Sequence, residues 1–178
     1  MNFDDLPRWL LICEGLRLKP YLDTKKKWTI GVGRNLEARK ITKDEADYLT
    51  SRDKDKSRVE SLSKKWYRNT DEIVEYLKKR ELSPEEAEYI LKNDIKNCID
   101  SLIKHDFYIS APAPLKCALI NMAFQMGVSG LLKFRKMIKY LNEKNYSKAA
   151  SEALDSEWGR EFVKRSKDVA DIIKSADK

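Results

Sequence analysis

The sequence has few residues of the kinds that bind metals or form disulfide bonds. His105 is its single histidine, which excludes any site that needs two imidazoles. The three cysteines, Cys13, Cys98 and Cys117, are odd in number and have no metal-ligand spacing, so we expect them to be reduced and buried. The sequence therefore predicts a site without a metal and without a cofactor.

Long apolar runs are also lacking. No stretch approaches the roughly 20 apolar residues of a membrane span. The first residues, Met1-Asn2-Phe3-Asp4-Asp5, are acidic where a secretory signal would be basic. We therefore expect a protein that is made and held in the cytoplasm and does not insert stably into a membrane.

The charge of the chain is basic, at a formal net +7. Such a balance suits nucleic acid, an anionic membrane surface or an anionic polymer. No nucleic-acid-binding motif with interleaved aromatic residues is present, so we expect no nucleic-acid partner. The charge indicates non-specific attraction to an anionic substrate. One basic cluster lies at 25–27, and a second consists of Lys133, Arg135, Lys136, Lys139, Lys144 and Lys148.

Two carboxylates and a hydroxyl lie close together in the sequence, where the local pattern changes. Residues 3–14 have apolar side chains at helical spacing and predict a helix that ends with Glu14. Residues 17–36 predict a hairpin that carries Asp23 and Thr29. This arrangement suits a cleft in which one carboxyl donates a proton and another group orients a water molecule or stabilises a cation. A solvated helix end, a turn and an ordinary strand fit the same residues, and spacing alone leaves both interpretations open. The apolar positions of the predicted helix are Phe3, Leu6, Trp9, Leu10 and Cys13.

Three short segments around these residues resemble the active-site signature of the T-even phage lysozyme (endolysin) family. They are Glu14-Gly-Leu-Arg-Leu-Lys19, Tyr21-Leu-Asp23-Thr24 and Trp28-Thr-Ile-Gly-Val-Gly33, in that order. The resemblance implies an α+β fold, mostly helical and two-lobed, with a small antiparallel sheet in the N-terminal lobe. It also implies a glycoside hydrolase that cuts the β-1,4 bond between N-acetylmuramic acid and N-acetylglucosamine of peptidoglycan and causes lysis of the host cell.

The resemblance assigns a role to each of the three residues. Glu14 is the general acid at the leaving oxygen, and Asp23 stays ionised on the opposite face of the sugar. Thr29 helps Asp23 to orient a water molecule. This assignment predicts inversion at the anomeric carbon.

The same resemblance predicts how the chain is organised, as a single lysozyme-like domain over 1–178. The N-terminal lobe is expected at about 14–82, with the catalytic hairpin at 17–36 and a helical insertion at about 42–80. A linking helix at about 84–104 leads to a C-terminal helical lobe at about 105–178, on which helix 1–13 packs. The family has one capped helix where this chain has two, so we expect the insertion to lie beside the cleft and shape access to it.

The two capped helices begin with the same design. Thr42-Lys-Asp-Glu45 and Ser83-Pro-Glu-Glu86 each place a hydroxyl three residues before a glutamate, which is the pattern of a capping box. Residues 41–49 also align with residues 82–90. The pattern fits an internal duplication of one helix, and it also fits two helices that share good capping chemistry.

Further residues are candidates for binding substrate or supporting the acid. Residues 118–127 are similar to the central-helix motif of the family, although buried amides more often satisfy hydrogen bonds within a core. Arg165 matches an arginine on the last helix, and on sequence grounds alone it is more often a surface residue. Arg34 replaces a histidine that many members have, and an ion pair or a substrate contact is open to it. The candidates are Arg34, Asn121, Phe124, Gln125 and Arg165.

The resemblance implies a monomer whose partner is peptidoglycan. Export is then expected to depend on a separate pore-forming protein, and the enzyme stays cytoplasmic in the host until it is released to the cell wall or periplasm. Three alternatives stay open: a glycosidase active on chitin or chitosan, a wall-binding protein without activity, and a basic protein that disrupts membranes without catalysis.

Overall fold

The computed structural model describes residues 2–53 and 70–177 of the 178-residue chain. The fold is α+β and mostly helical, with one three-stranded antiparallel sheet near the N-terminus, which confirms the predicted class. In chain order the elements are α1 (Leu6–Glu14), β1 (Arg17–Leu22), β2 (Trp28–Gly31), β3 (Arg34–Asn35), α2 (Lys43–Ser51), α3 (Thr70–Lys79), α4 (Pro84–Leu102), α5 (Asp106–Ile109), α6 (Ala113–Met126), α7 (Val128–Leu131), α8 (Arg135–Asn142), α9 (Tyr146–Asp155), α10 (Glu157–Glu161) and α11 (Val163–Ser175).

The chain forms two compact units. The N-terminal unit is Glu14–Lys92. The C-terminal unit joins the chain up to Cys13 with the chain from Asn93 onward. The boundary between them therefore lies within the long helix α4, and α1 belongs to the C-terminal unit except for its last residue, Glu14.

The sheet of the N-terminal unit has the strand order β1-β2-β3. Tyr21 lies directly opposite Thr29, and Arg17 lies opposite Gly31, with a bulge in β1 between the two pairs. Lys26 adopts a left-handed backbone conformation at φ 57° in the turn that joins β1 to β2. The predicted hairpin is present, and it brings Tyr21 beside Thr29.

Helices α2 and α3 supply core side chains to the N-terminal unit. Leu49 and Leu77 are fully buried there together with Ile30 of the sheet. Helix α3 also packs on β1, and the Lys78 ammonium lies 4.4 Å from the centre of the Trp28 ring. The described parts of the predicted insertion are thus part of the core. Residues 54–69 lie outside the described residues, and proximity of the insertion to Glu14 stays a prediction.

Both predicted capping boxes are present. The Thr42 hydroxyl accepts the Glu45 backbone N–H at 3.2 Å, and the Glu45 carboxylate accepts the Thr42 N–H at 2.9 Å. Ser83 and Glu86 repeat this exchange at 3.3 and 2.7 Å. Each box satisfies donors that a helix N-terminus would otherwise leave unpaired.

Two arginines each contact both capped helices, and the two sets of contacts correspond to each other. Arg34 pairs with Glu45 of the first helix and donates to the backbone carbonyl of Ile90 in the second, at 3.3 Å. Arg80 pairs with Glu86 of the second helix and donates to the carbonyl of Leu49 in the first, at 3.5 Å. Because 49 and 90 are equivalent positions, the aligned segments are packed in a matching way. The tyrosines at positions 48 and 89 also stack, with ring centres 4.0 Å apart.

The C-terminal unit is built around α6, which is apolar on nearly every side, as the sequence predicts.

Two details of the C-terminal unit differ from what the sequence predicts. The first helix begins at Leu6, and Phe3 is 41% exposed, because Asn2 caps the preceding turn through its side chain. Of the three cysteines, all free, only Cys117 is fully buried. Among the described residues, no helix is long and apolar enough to cross a membrane.

Candidate active site

Asp23 is held in a fixed orientation by the turn of the hairpin. Its Oδ1 accepts the backbone N–H groups of Lys25 and Lys27, each at 2.8 Å. Its own backbone N–H donates to the Lys27 carbonyl at 2.9 Å. Within 2–53 and 70–177, no side chain or backbone group donates to the second oxygen, Oδ2. Asp23 therefore presents one oxygen whose direction is set by the backbone, which is the arrangement a catalytic base needs.

Thr29 is attached to the same backbone unit. Its hydroxyl donates to the Lys27 carbonyl at 3.1 Å, and the residue is 3% exposed. A hydroxyl that donates its hydrogen to a carbonyl keeps its lone pairs to accept from another group. Asp23 and Thr29 are thus both held by Lys27, and both offer acceptor oxygens.

Glu14 is the last residue of α1, and its side chain is half-buried. Gly15 ends the helix at a φ of 76°, a left-handed conformation that glycine adopts without strain. Gly33, at φ 78°, passes close to the acid: a Cβ at this position would lie 3.6 Å from Oε2 of Glu14. The hairpin backbone therefore runs beside the Glu14 carboxyl group, and Gly33 keeps that side of it clear.

The sequence indicated no role for Tyr21 beyond its place in the motif. In the structure, both predicted catalytic carboxylates influence the pKa of its phenol. Burial raises the pKa of the Tyr21 phenol, the Arg17 guanidinium opposes that rise, and the charges of Asp23 and Glu14 add to it. Arg17 lies over the Tyr21 ring, 4.2 Å from its centre. The available signal was the position of Tyr21 in the strand, two residues before Asp23.

Arg34 is buried and has a structural partner. Its side chain is 1% exposed and forms two hydrogen bonds to the Glu45 carboxylate, at 3.0 and 2.8 Å. The expected ion pair is therefore present. Such burial leaves the guanidinium no exposed surface to offer a substrate, so the contact that the sequence left open for Arg34 is not supported.

Arg165 is also buried, at 8% exposure, so its interpretation as a surface arginine is wrong. Its Nε donates to the Asn121 side-chain oxygen at 2.6 Å, and a terminal nitrogen donates to the Asn121 backbone carbonyl at 2.9 Å. The Asn121 amide in turn points at Cys13, with a nitrogen–sulfur distance of 3.8 Å. A polar network thus links the end of α1 with α6 and α11 inside the C-terminal unit.

Gln125 and Phe124 lie near the end of α6 and are half-buried. The Gln125 side-chain oxygen accepts the indole N–H of Trp158 at 2.9 Å. The Trp158 ring meets Phe134 edge-on, at 6.2 Å between ring centres. These contacts fix Gln125 within the C-terminal unit. The predicted role of Asn121, Phe124, Gln125 and Arg165 in binding substrate or supporting Glu14 stays a prediction.

No group of three or more histidine, cysteine, aspartate or glutamate side chains converges on a metal position in the parts of the chain that the structure describes. The carboxyl and hydroxyl groups that the site does contain can donate a proton, accept a proton and orient water.

One carboxyl group at a helix end and another beside a hydroxyl on a hairpin are the groups that a glycoside hydrolase uses. Residues 12–72 match the family model described as phage lysozyme. T4-type lysozymes 2 and 1 of Dictyostelium discoideum are 30% and 31% identical to the chain over 166 residues, which is 91% of this chain and 89% of each relative. The chain belongs to the T4-type phage lysozyme family and is a lysozyme with muramidase-type function.

A further relative has a different overall size. The pre-baseplate central spike protein Gp5 of Enterobacteria phage T4 is 29% identical over 164 residues. This match spans 90% of the present chain and 26% of the spike protein. The lysozyme-like sequence therefore also occurs as one part of a longer protein.

Proposed function

We propose that this lysozyme hydrolyses the β-1,4 bond between N-acetylmuramic acid and N-acetylglucosamine of bacterial peptidoglycan, with inversion at the anomeric carbon, and that it lyses the host cell. The observation that carries the proposal is the arrangement of acceptors on the hairpin. Among the described residues, no group donates to Asp23 Oδ2 or to the Thr29 hydroxyl oxygen, and both side chains are held by the Lys27 backbone.

These two acceptors suit a single water molecule. A water that donates one hydrogen to Asp23 and the other to Thr29 directs a lone pair away from both. Asp23 then accepts a proton as that water attacks the anomeric carbon, while Glu14 donates a proton to the leaving oxygen. The new carbon–oxygen bond forms on the face opposite the broken one, so one displacement inverts the configuration.

Variants of Glu14 test the proposal directly. Glu14→Gln keeps the shape of the side chain and removes the acid, and it should slow release of fragments from purified peptidoglycan by at least about a hundredfold. Glu81→Gln is a matched control, because Glu81 is an exposed glutamate of the same unit that pairs with Lys19 at 4.0 Å. Normal hydrolysis by Glu14→Gln would contradict the mechanism.

The alternative functions give different results in the same assays. A membrane-disrupting protein would kill permeabilised cells equally well with Glu14→Gln. A chitin-active glycosidase would turn over chitin faster than peptidoglycan. Inversion is read from the anomeric form first released, by nuclear magnetic resonance, and release of the retained form would show a double displacement instead.

The proposal includes the route to the substrate. We expect a monomer that stays in the host cytoplasm until a separate pore-forming protein opens the membrane, and that then acts on peptidoglycan in the wall or periplasm. The support is the similarity to phage lysozymes. Expression in bacteria with and without a pore-forming protein tests it: lysis should require both proteins, and rapid lysis by the enzyme alone would contradict it.

A further inference from the structure

Arg17 stands on the same face of the hairpin as Thr29. It is the first residue of β1 and pairs across the sheet with Gly31, two residues beyond Thr29 and roughly 7 Å along the strand. Its guanidinium lies over the ring of Tyr21, which is the direct partner of Thr29. A cation is thus placed over the ring of the tyrosine that pairs with Thr29.

The Arg17 charge has no carboxylate partner among the described residues. This distinguishes it from Arg34 and Arg80, whose guanidinium groups pair with buried glutamates. Arg17 is exposed, and a Cβ built at Gly31 opposite it would meet no atom within 4 Å. The Tyr21 ring holds the guanidinium by a cation–π contact. Among the described residues no acceptor occupies the Arg17 N–H groups, so they are available for bidentate binding of a carboxylate.

We propose that Arg17 is a specificity-determining residue that binds a carboxylate group of peptidoglycan beside the bond that is cut. The inference rests on the proposed function. Peptidoglycan carries carboxylates on its lactyl groups or peptide stems, whereas chitin has none, so one oriented guanidinium favours the first polymer over the second. Tyr21 acts as a positioning residue, because its ring holds the guanidinium in place.

Esterified substrate separates this role from a structural one. Hydrolysis is compared for native peptidoglycan and for peptidoglycan whose carboxylates have been converted to methyl esters. Arg17→Gln should lower kcat/KM on native substrate about tenfold or more, since hydrogen bonds to charged groups are worth that much. The wild type should fall to a similar level on esterified substrate, and Arg17→Gln should show little further loss there.

Two further variants sharpen the comparison. Arg17→Lys keeps the charge without the planar fork and should fall between the wild type and Arg17→Gln. Lys19→Gln removes another exposed cation of the same strand, and its ratio of native to esterified activity should equal that of the wild type. A loss by Arg17→Gln that is equal on both substrates, or a wild type indifferent to esterification, would overturn the proposal.

A second substrate identifies the carboxylate. Glycan strands stripped of peptides by an amidase keep only the lactyl carboxylate. If the impairment of Arg17→Gln needs the peptide, a stem carboxylate is the ligand, because the lactyl carboxyl group is an amide wherever a peptide is attached. Impairment on the stripped strands shows that Arg17 binds the lactyl carboxylate where it is free. No impairment on either the stripped or the intact strands contradicts a carboxylate role. Failure of the proposed function is distinguishable, because the wild type would then release no reducing ends from any of these polymers.

Discussion

Asp23 and Lys27 hold each other through two hydrogen bonds across the hairpin turn. The Lys27 N–H donates to the Asp23 carboxylate at 2.8 Å, and the Asp23 N–H donates to the Lys27 carbonyl at 2.9 Å. The same carbonyl accepts the Thr29 hydroxyl. The backbone of one residue therefore sets the positions of both proposed water-binding groups, and sequence changes at the Lys27 side chain should matter little to them.

Two variants of Asp23 separate its chemical role from its structural role. Asp23→Asn keeps an oxygen that can accept the Lys25 and Lys27 N–H groups but cannot accept a proton. It should retain stability and lose at least about a hundredfold in hydrolysis rate. Asp23→Ala should lose activity and also about 1 kcal/mol of unfolding free energy, because the turn loses its acceptor. Denaturant unfolding and fragment release measure the two effects, and an active Asp23→Asn would remove Asp23 from the mechanism.

Thr29 should be needed for its hydroxyl. Thr29→Val loses the hydrogen bond to Lys27, at a cost of about 1 kcal/mol, and loses the acceptor for the water. We expect a large fall in rate, with much of it restored in Thr29→Ser.

Thr50 offers a control for this substitution, because its hydroxyl also donates to a backbone carbonyl, that of Ala46, at 2.9 Å. Thr50→Val should lose similar stability and keep normal activity. Equal activity losses in Thr29→Val and Thr50→Val would mean that stability, and not water orientation, explains the effect.

Gly33 should be required for access to Glu14. Gly33→Ala places a methyl group about 3.6 Å from the Glu14 carboxylate oxygen and strains a backbone with φ 78°. Gly31→Ala imposes similar strain, at φ 64°, but its methyl group meets nothing within 4 Å. Steady-state kinetics should show the larger loss for Gly33→Ala at comparable melting temperatures. The reverse order would argue against close approach of the hairpin to the acid.

The ion pair of Arg34 and Glu45 should stabilise the fold without taking part in catalysis. Arg34→Met leaves the Glu45 carboxylate buried and unpaired, and should cost about 3–5 kcal/mol of unfolding free energy. Lys43→Met removes a partner of the exposed pair with Asp47 and should leave stability unchanged within error. Activity per folded molecule of Arg34→Met, measured below its melting temperature, should be close to that of the wild type; a specific loss of kcat would give Arg34 a part in the reaction.

The parts of the fold that depend on neighbouring residues follow from the sequence. The capping boxes at Thr42 and Ser83 are predicted because both partners lie within one helical turn. Partners that are distant in the chain are not predicted: Arg34 finds Glu45 and Ile90, and Arg165 finds Asn121, only once the helices have packed. A charged residue therefore looks exposed in the sequence even where the fold buries it.

The candidate site likewise has features that the sequence predicts and others that depend on the folded structure. Motif spacing identifies Asp23 and Thr29, but their common attachment to Lys27 is a property of the turn geometry. Arg17 lies over the ring of Tyr21, and the register of β1 shifts between these two residues. The regular alternation of residues along a strand would not predict the contact between Arg17 and Tyr21.

Mass analysis of the fragments released from purified peptidoglycan is the most direct test of the central claim. The wild type should release disaccharide-containing fragments that end in reducing N-acetylmuramic acid, and Glu14→Gln and Asp23→Asn should release almost none. Fragments that end in reducing N-acetylglucosamine, or muramic acid ends produced equally well by the two variants, would contradict the account.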